Sequence, residues 1–167
     1  MIRLCKKSDF PAMFIIINAA AIVYKETIPS DRWKEPYMAE DELRQEIELE
    51  VVFWCHEEKG AIHGIMGIQD VKDVTLIRHA YILPRCQRQG LGSKLLKHLA
   101  KQTKRPLLIG TWADAKWAIT FYEKHGFTLV TEVEKDFLLR KYWNIPVRQV
   151  ETSVVLSNIP VKQLVRD

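Results

Sequence analysis

The residues Gln87-Arg88-Gln89-Gly90-Leu91-Gly92-Ser93 stand between an apolar run and an amphipathic one. Two glycines, two positions apart, lay backbone bare where another backbone or a ligand must come close. A strand, a glycine turn and a helix start together make an anion site. Several N–H groups point outward there, and the helix dipole adds about half a positive charge. The spacing excludes two phosphate binders. A P-loop needs a glycine six positions before Lys94, and Arg88 stands there. A dinucleotide fingerprint needs a third glycine where Leu95 stands, and the parallel βαβ unit around it is missing. Lys94, Lys97 and Lys101, with His98 on the same polar side, read as a solvated helix face.

The elements that must position this turn follow from periodicity. "IRLCK" reads as a first strand. Ser8 is placed to cap a helix with Phe10, Met13, Phe14, Ile17 and Ala21 on one face, Pro11 in its first turn, fading near Thr27. A loop carries Trp33, Tyr37 and Met38, and "AEDELRQEIELE" is a strongly acidic helix. "VVFWCHE", "IHGIMGIQDV" and "DVTLIRHAYIL" are consecutive strands, the first two joined at Lys59-Gly60. Leu91, Leu95, Leu96 and Leu99 stripe the helix after the glycines. There follow a strand "PLLIGTW", a helix ended by Gly126, a strand "FTLV", a short helix "EVEKDFLLRKYW" and a last alternating strand "RQVETSVVL". The order predicts an α/β (α+β) sandwich: a mixed, largely antiparallel sheet with helices on both faces. One domain over residues 1–156 and a tail over 157–167 fit the length of 167 residues.

Composition narrows the class. Apolar residues make up 47% and charged residues 28%, and the net charge of +4 is too small to argue for nucleic acid. The apolar stretch "FIIINAAAIV" is half the roughly 20 residues of a membrane span. No secretory signal is apparent, and Cys5, Cys55 and Cys86 show no disulfide or zinc spacing. A cytoplasmic protein without a metal is the expectation.

Gln87 to Gly92 fit the pattern [Q/R]-x-x-G-x-[G/A]. With "AYILPRCQRQGLGSKLLKHL" before and around it and "WAITFYEKHGF" about 25 residues later, the chain resembles the GNAT superfamily of N-acetyltransferases from Ile2 to about Leu156. The resemblance implies that acetyl-CoA lies where two parallel strands splay, the one ending at Leu83 and the one ending at Trp112. It implies backbone pairing of Tyr81, Ile82 and Leu83 with the pantetheine, in the manner of an added strand. The Ile82 N–H would meet the thioester carbonyl. Gln87, Arg88, Gln89, Gly90, Leu91, Gly92 and Ser93 would cradle the pyrophosphate. Tyr122 is the implied proton donor to the departing thiolate, since a phenol near pKa 10 can serve a thiol near 8.5. The family often has Asn at the position of Ala115, and a carboxylate on the strand before the glycines. Here that strand holds no acid but Arg78 and His79. His79 could act as base, and Arg78 could bind a substrate carboxylate or partner an acid. Strand alternation puts the two on opposite faces unless a bulge intervenes. Tyr24, Trp33, Tyr37, Trp112 and Tyr142, with Trp143 beside it, are candidate walls for the acceptor. The expected acceptor is the primary amine of a small molecule. A protein or tRNA-linked amine, or a non-catalytic acyl-CoA-binding role, are the alternatives, and a homodimer fits the resemblance.

Overall fold

Alternating burial along the middle strands sets the architecture. On β5, Leu107 and Ile109 face one side and Leu108 the other, and all three are at most 2% exposed. Such a strand needs cover on both faces. A computed structural model describes residues 1–166. Its elements are β1 (Ile2–Leu4), α1 (Phe10–Ala21), α2 (Glu40–Glu48), β2 (Val52–Glu58), β3 (Ala61–Val71), β4 (Val74–Ile82), α3 (Leu91–Ala100), β5 (Leu107–Trp112), α4 (Lys116–Glu123), β6 (Thr128–Leu129), α5 (Glu132–Tyr142), α6 (Val147–Glu151) and β7 (Ser153–Ser157). The strands form one sheet in the order β1-β2-β3-β4-β5-β7-β6. Its neighbours are antiparallel except β4 and β5.

One face carries α3 and α4, whose Leu95, Leu96, Leu99, Ile119 and Tyr122 pack with Ile77 and Ile109. On the other face α1 and α2 set Met13, Ile16, Ile17 and Leu43 against Phe53, Ile65 and Tyr81. Beside them α5 sets Leu138, Leu139 and Tyr142 against Leu76, Leu108 and Val155. The mixed sheet with helices on both faces is as the sequence predicts. By length and composition, Lys7–Tyr24 is the one helical stretch among the described residues that could cross a membrane. Its Met13, Ile16, Ile17, Ala20 and Ala21 are instead buried in the core.

Three local readings change. Ser8 does not cap α1: it lies in a 3-10 turn (Lys7–Asp9), and Asp9 takes the cap position. The Asp9 side chain makes no capping bond to α1; its carboxylate turns back, accepting the Lys6 N–H at 2.6 Å and the Arg3 guanidinium at 2.7 Å. The stretch "RQVETSVVL" is not one strand. Pro146 accepts from the N–H groups of Gln149 and Val150 and starts α6, so β7 begins only at Ser153. Finally, Val161 and Leu164 in the last residues are buried against the α5 cluster.

Candidate active site

β4 and β5 pair only at Thr75–Leu107, Leu76–Leu108 and Ile77–Ile109, and then part. The cause lies in β4. Arg78 opposes Gly67 and Tyr81 opposes Ile65, so His79 and Ala80 share the single partner position of Met66. This is a β-bulge, which bends its strand. His79 takes it up with a φ of +52°. On β5, the missing side chain of Gly110 admits the Trp143 ring, 3.3 Å from where a Cβ would stand.

Two cavities meet at this splay. The first, of about 160 Å³, is lined from both faces of the sheet: Tyr24, Tyr37 and Tyr81 on one side, Ile77, Ile109 and Tyr122 on the other, with Trp112 and Trp143. The second, of about 420 Å³, runs from Ala80 and Ile82 to the glycine turn and α4. Tyr24, Ala80, Tyr81 and Tyr122 belong to both. Arrangement around the splay makes one cavity polar and aromatic and the other a channel ending on backbone.

That backbone is an anion cradle. Arg88 and Gly90 both have positive φ, +61° and +77°, and Gly90 caps α3 in the left-handed region that favours glycine. The first amide of α3 with a helical partner is that of Lys94, bonded to the Gly90 carbonyl. Among the described residues, no backbone acceptor faces the N–H groups of Arg88, Gln89, Gly90, Leu91, Gly92 or Ser93. Six adjacent free amides at a helix start suit a pyrophosphate. Gly92 leaves room too: a Cβ there would touch Phe121 at 3.4 Å and Ile82 at 3.9 Å.

Leu83 leaves the expected set. Its N–H is bonded to the His63 carbonyl at 2.9 Å, and its side chain packs in the α1 cluster. The same bond fixes the phase of the ladder. In an antiparallel pair alternate residues turn their amides to the partner, so Tyr81, like Leu83, turns toward β3 and Ile82 turns toward the splay. The Ile82 carbonyl takes the Gln87 side-chain amide at 3.2 Å, so Gln87 props the strand edge. The Gln89 side chain bonds the Arg85 carbonyl at 3.4 Å and lines neither cavity. Only its amide remains for the cradle.

Tyr122 is 7% exposed and stands where the cavities join. Burial, helped by Tyr24, raises its pKa well above 10, so the hydroxyl keeps its proton. Outright transfer of that proton to a thiolate would run uphill, whereas donating a hydrogen bond would not. Burial likewise pushes Tyr24 up to about 12.

The bulge also brings together two side chains that alternation separates. Arg78 Nη2 and His79 Nε2 both lie 2.9 Å from Oε2 of Glu46 on α2. A second bond, 2.7 Å to Gln69, fixes the Arg78 guanidinium. Arg78 therefore partners an acid. Burial works against the Glu46 carboxylate, but the His79 hydrogen bond and the Arg78 charge outweigh it, and its pKa falls. Burial lowers His79 as well, more than the Glu46 bond raises it. An ionised Glu46 only accepts, so neutral His79 carries its proton on Nε2 and keeps a lone pair on Nδ1. His79 lines the smaller cavity. Glu46 is the functional residue missed from sequence. Its signal is faint: it falls three residues after the fully buried Leu43, on the inward side of a helix full of acids.

Of the aromatic candidates, Tyr24, Tyr37 and Trp112 line the smaller cavity. Trp33 does not: it packs on Tyr37 at 5.8 Å between ring centres and bonds Glu35. Tyr142 does not either. Its ring is in the α5 core and its hydroxyl donates to Asp73 at 2.6 Å, while its neighbour Trp143 takes the place on the cavity wall.

Solved structures share this arrangement of elements. The PaiA N-acetyltransferase of Thermoplasma acidophilum in complex with coenzyme A superposes with a TM-score of 0.70 at 13% identity, over 96% of this chain and 98% of that one. The ribosomal-protein-S18-alanine N-acetyltransferase of Escherichia coli gives 0.66 at 20% identity, over 94% and 91%. The N-acetylglutamate synthase of Neisseria gonorrhoeae, complexed with coenzyme A and N-acetyl-glutamate, gives 0.63 at 18%, over 94% of this chain and 34% of that one. No curated protein sequence matches. At these identities the likeness shows the fold. The family described as Acetyltransferase (GNAT) domain matches the sequence itself over residues 18–138, and the chain belongs to that family.

Proposed function

We propose that this acetyltransferase moves an acetyl group from acetyl-CoA to the primary amine of a small molecule, by direct attack with both substrates bound. The observation that carries the reading is Tyr122, which borders both cavities at the splay. The family membership supplies the reaction class. The smaller cavity, about 160 Å³ and set into the splay of the sheet, suits a compact acceptor more than a folded protein surface.

The residues present fit the cofactor. The six free amides from Arg88 to Ser93 would hold its pyrophosphate, and the Ile82 edge of β4 its pantetheine. When bound, acetyl-CoA supplies the acetyl group as a thioester. The Ile82 N–H, turned toward the splay, would hydrogen-bond the thioester carbonyl and polarise it. His79 Nδ1 takes the proton the amine loses, and Glu46 holds the ring in the required tautomer and steadies the imidazolium that forms. The Tyr122 hydroxyl, at the junction of the cavities, would donate a hydrogen bond to the thioester sulfur and so favour its departure as a thiolate. Arg78 keeps Glu46 ionised.

The test is release of free CoA thiol against a panel of small amines and N-terminal peptides. Turnover of small amines with kcat/KM at least tenfold above the peptides supports the reading. Preference for peptides by the same margin replaces it with a protein acceptor.

A further inference from the structure

Helix α3 has two unlike flanks. Gly92 and Ser93 face the larger cavity, while Lys94, Lys97, His98 and Lys101 line a separate groove of about 460 Å³ with His56 of β2 and Ile2 of β1. The groove shares no lining residue with either cavity at the splay.

A solvated face does not account for this flank. Among the described residues none of the three lysines has an ion-pair partner. Lys94–Lys97, Lys94–His98 and Lys97–Lys101 stand three or four apart, where like charges repel on a helix. The helix dipole favours Lys97 and His98 in the last turn. It opposes Lys94, which sits one turn from the start. The second observation comes from the sheet. His56 is 8% exposed, and its Nδ1 is buried without a hydrogen-bond partner, although buried polar atoms are ordinarily satisfied.

We propose that this groove is a second anion site, distinct from the amide cradle, and that it takes a linear polyphosphate. Lys94 and Lys101 stand seven steps apart along the helix, about 10 Å of axis, which is longer than one phosphate group and matches a chain of them. No Phe, Tyr or Trp lines the groove for a base to stack on, and the imidazole of His98 is only partly exposed, which sets a polyphosphate ahead of a nucleic acid. Burial, then the N-terminal ammonium of Met1, Lys94 on α3 and His63 on β3, hold the His56 pKa low, with Glu58 of β2 opposing them. An anion in the groove adds to the Glu58 side and draws the imidazole toward its protonated form.

The experiment titrates inorganic tripolyphosphate into protein already saturated with CoA, so that the amide cradle is filled. The triple variant Lys94→Gln/Lys97→Gln/Lys101→Gln is compared by calorimetry, with circular dichroism to confirm its fold. All three side chains are exposed, so folding is not at stake. The proposal expects binding to the wild type, a Kd at least tenfold weaker in the variant, and an upward shift of the His56 titration read by proton NMR. Absence of binding to the CoA-saturated wild type overturns it, as does equal binding by the variant or an unmoved His56. A single-stranded oligonucleotide that binds where tripolyphosphate does not also overturns it, in favour of a nucleic-acid surface.

Discussion

The two cavities that meet at Tyr122 are built from different materials. The cofactor side has apolar walls from α1 and α4, but its polar groups come from one stretch of chain, from Ala80 to Ser93, and are backbone: free amides, a left-handed Gly90 and the strand edge at Ile82. The acceptor side is made of side chains from distant parts of the chain. Tyr24 and Tyr37 follow α1, Glu46 comes from α2, Arg78 and His79 from the bulge, Trp112 from β5 and Trp143 from beyond α5. A backbone site needs only local geometry. A side-chain site needs the whole fold to converge. The first can stay constant while the second varies, which suits a family whose structural relatives include enzymes named for a protein alanine and for an amino acid.

If that contrast is right, damage on the acceptor side falls on turnover or on KM for the acceptor, and damage on the cofactor side falls on affinity for CoA. The largest effect is expected at His79. His79→Gln removes the proton acceptor, and acid–base groups of this kind contribute about 10²–10⁴-fold, so kcat should fall within that range while the Kd for CoA stays level. Glu46→Gln separates positioning from chemistry. Its carboxylate raises the His79 pKa, so its loss should lower the plateau rate and also move the acid limb of the kcat/KM profile to lower pH. In the wild type the His79 limb already lies below the ordinary 6.5 because burial dominates. An acid limb that stays in place in Glu46→Gln, with the plateau intact, would make the ion pair purely structural.

Tyr122→Phe should cost about 10²-fold in single-turnover rate, the scale of one hydrogen-bond donor to developing charge. The phenyl ring keeps the packing against Phe121 and Phe127. Full activity in this variant would assign the sulfur's hydrogen bond to water.

On the cofactor side, Gly92→Val tests the cradle. A side chain there meets Phe121 and Ile82 at ordinary contact distance, so the fold should survive. It would stand beside the free amides, and the Kd for CoA should rise tenfold or more, about 1.4 kcal/mol. Rate at saturating cofactor should change little. A variant with unchanged affinity would move the pyrophosphate away from this turn.

The same contrast explains what the sequence could reveal. The glycine turn, the stripe of α3 and the order of strands rest on contiguous residues and regular periods, and they are as the sequence implies. The bulge at His79 is a one-residue shift of register, and nothing in "TLIRHAYIL" marks it. Without it, Arg78 and His79 fall on opposite faces and Glu46 has no reason to be singled out. The start of α5 at Glu132 is as the sequence predicts, and the structure adds a capping box of Thr131 with Glu134 there. Where α5 ends was not legible, and the end decides which of two adjacent aromatics reaches the cavity: Tyr142 is its last residue, and Trp143, with φ −114° and ψ 143°, has left the helix.

That adjacent pair gives the smallest test. Tyr142→Phe removes only the hydroxyl that donates to Asp73. Asp73 is exposed and returns to water, so the expected cost is about 1 kcal/mol of stability, the usual worth of one hydrogen bond. KM for the acceptor should not change. Trp143→Ala should show the converse. It strips one wall from the smaller cavity, so KM for the acceptor should rise several-fold, and the space left beside Gly110 should admit bulkier amines. Denaturant midpoints and KM values measured on both variants decide the matter. If Tyr142→Phe shifts KM and Trp143→Ala does not, the acceptor approaches from the α5 core side and the cavity at the splay is not its site.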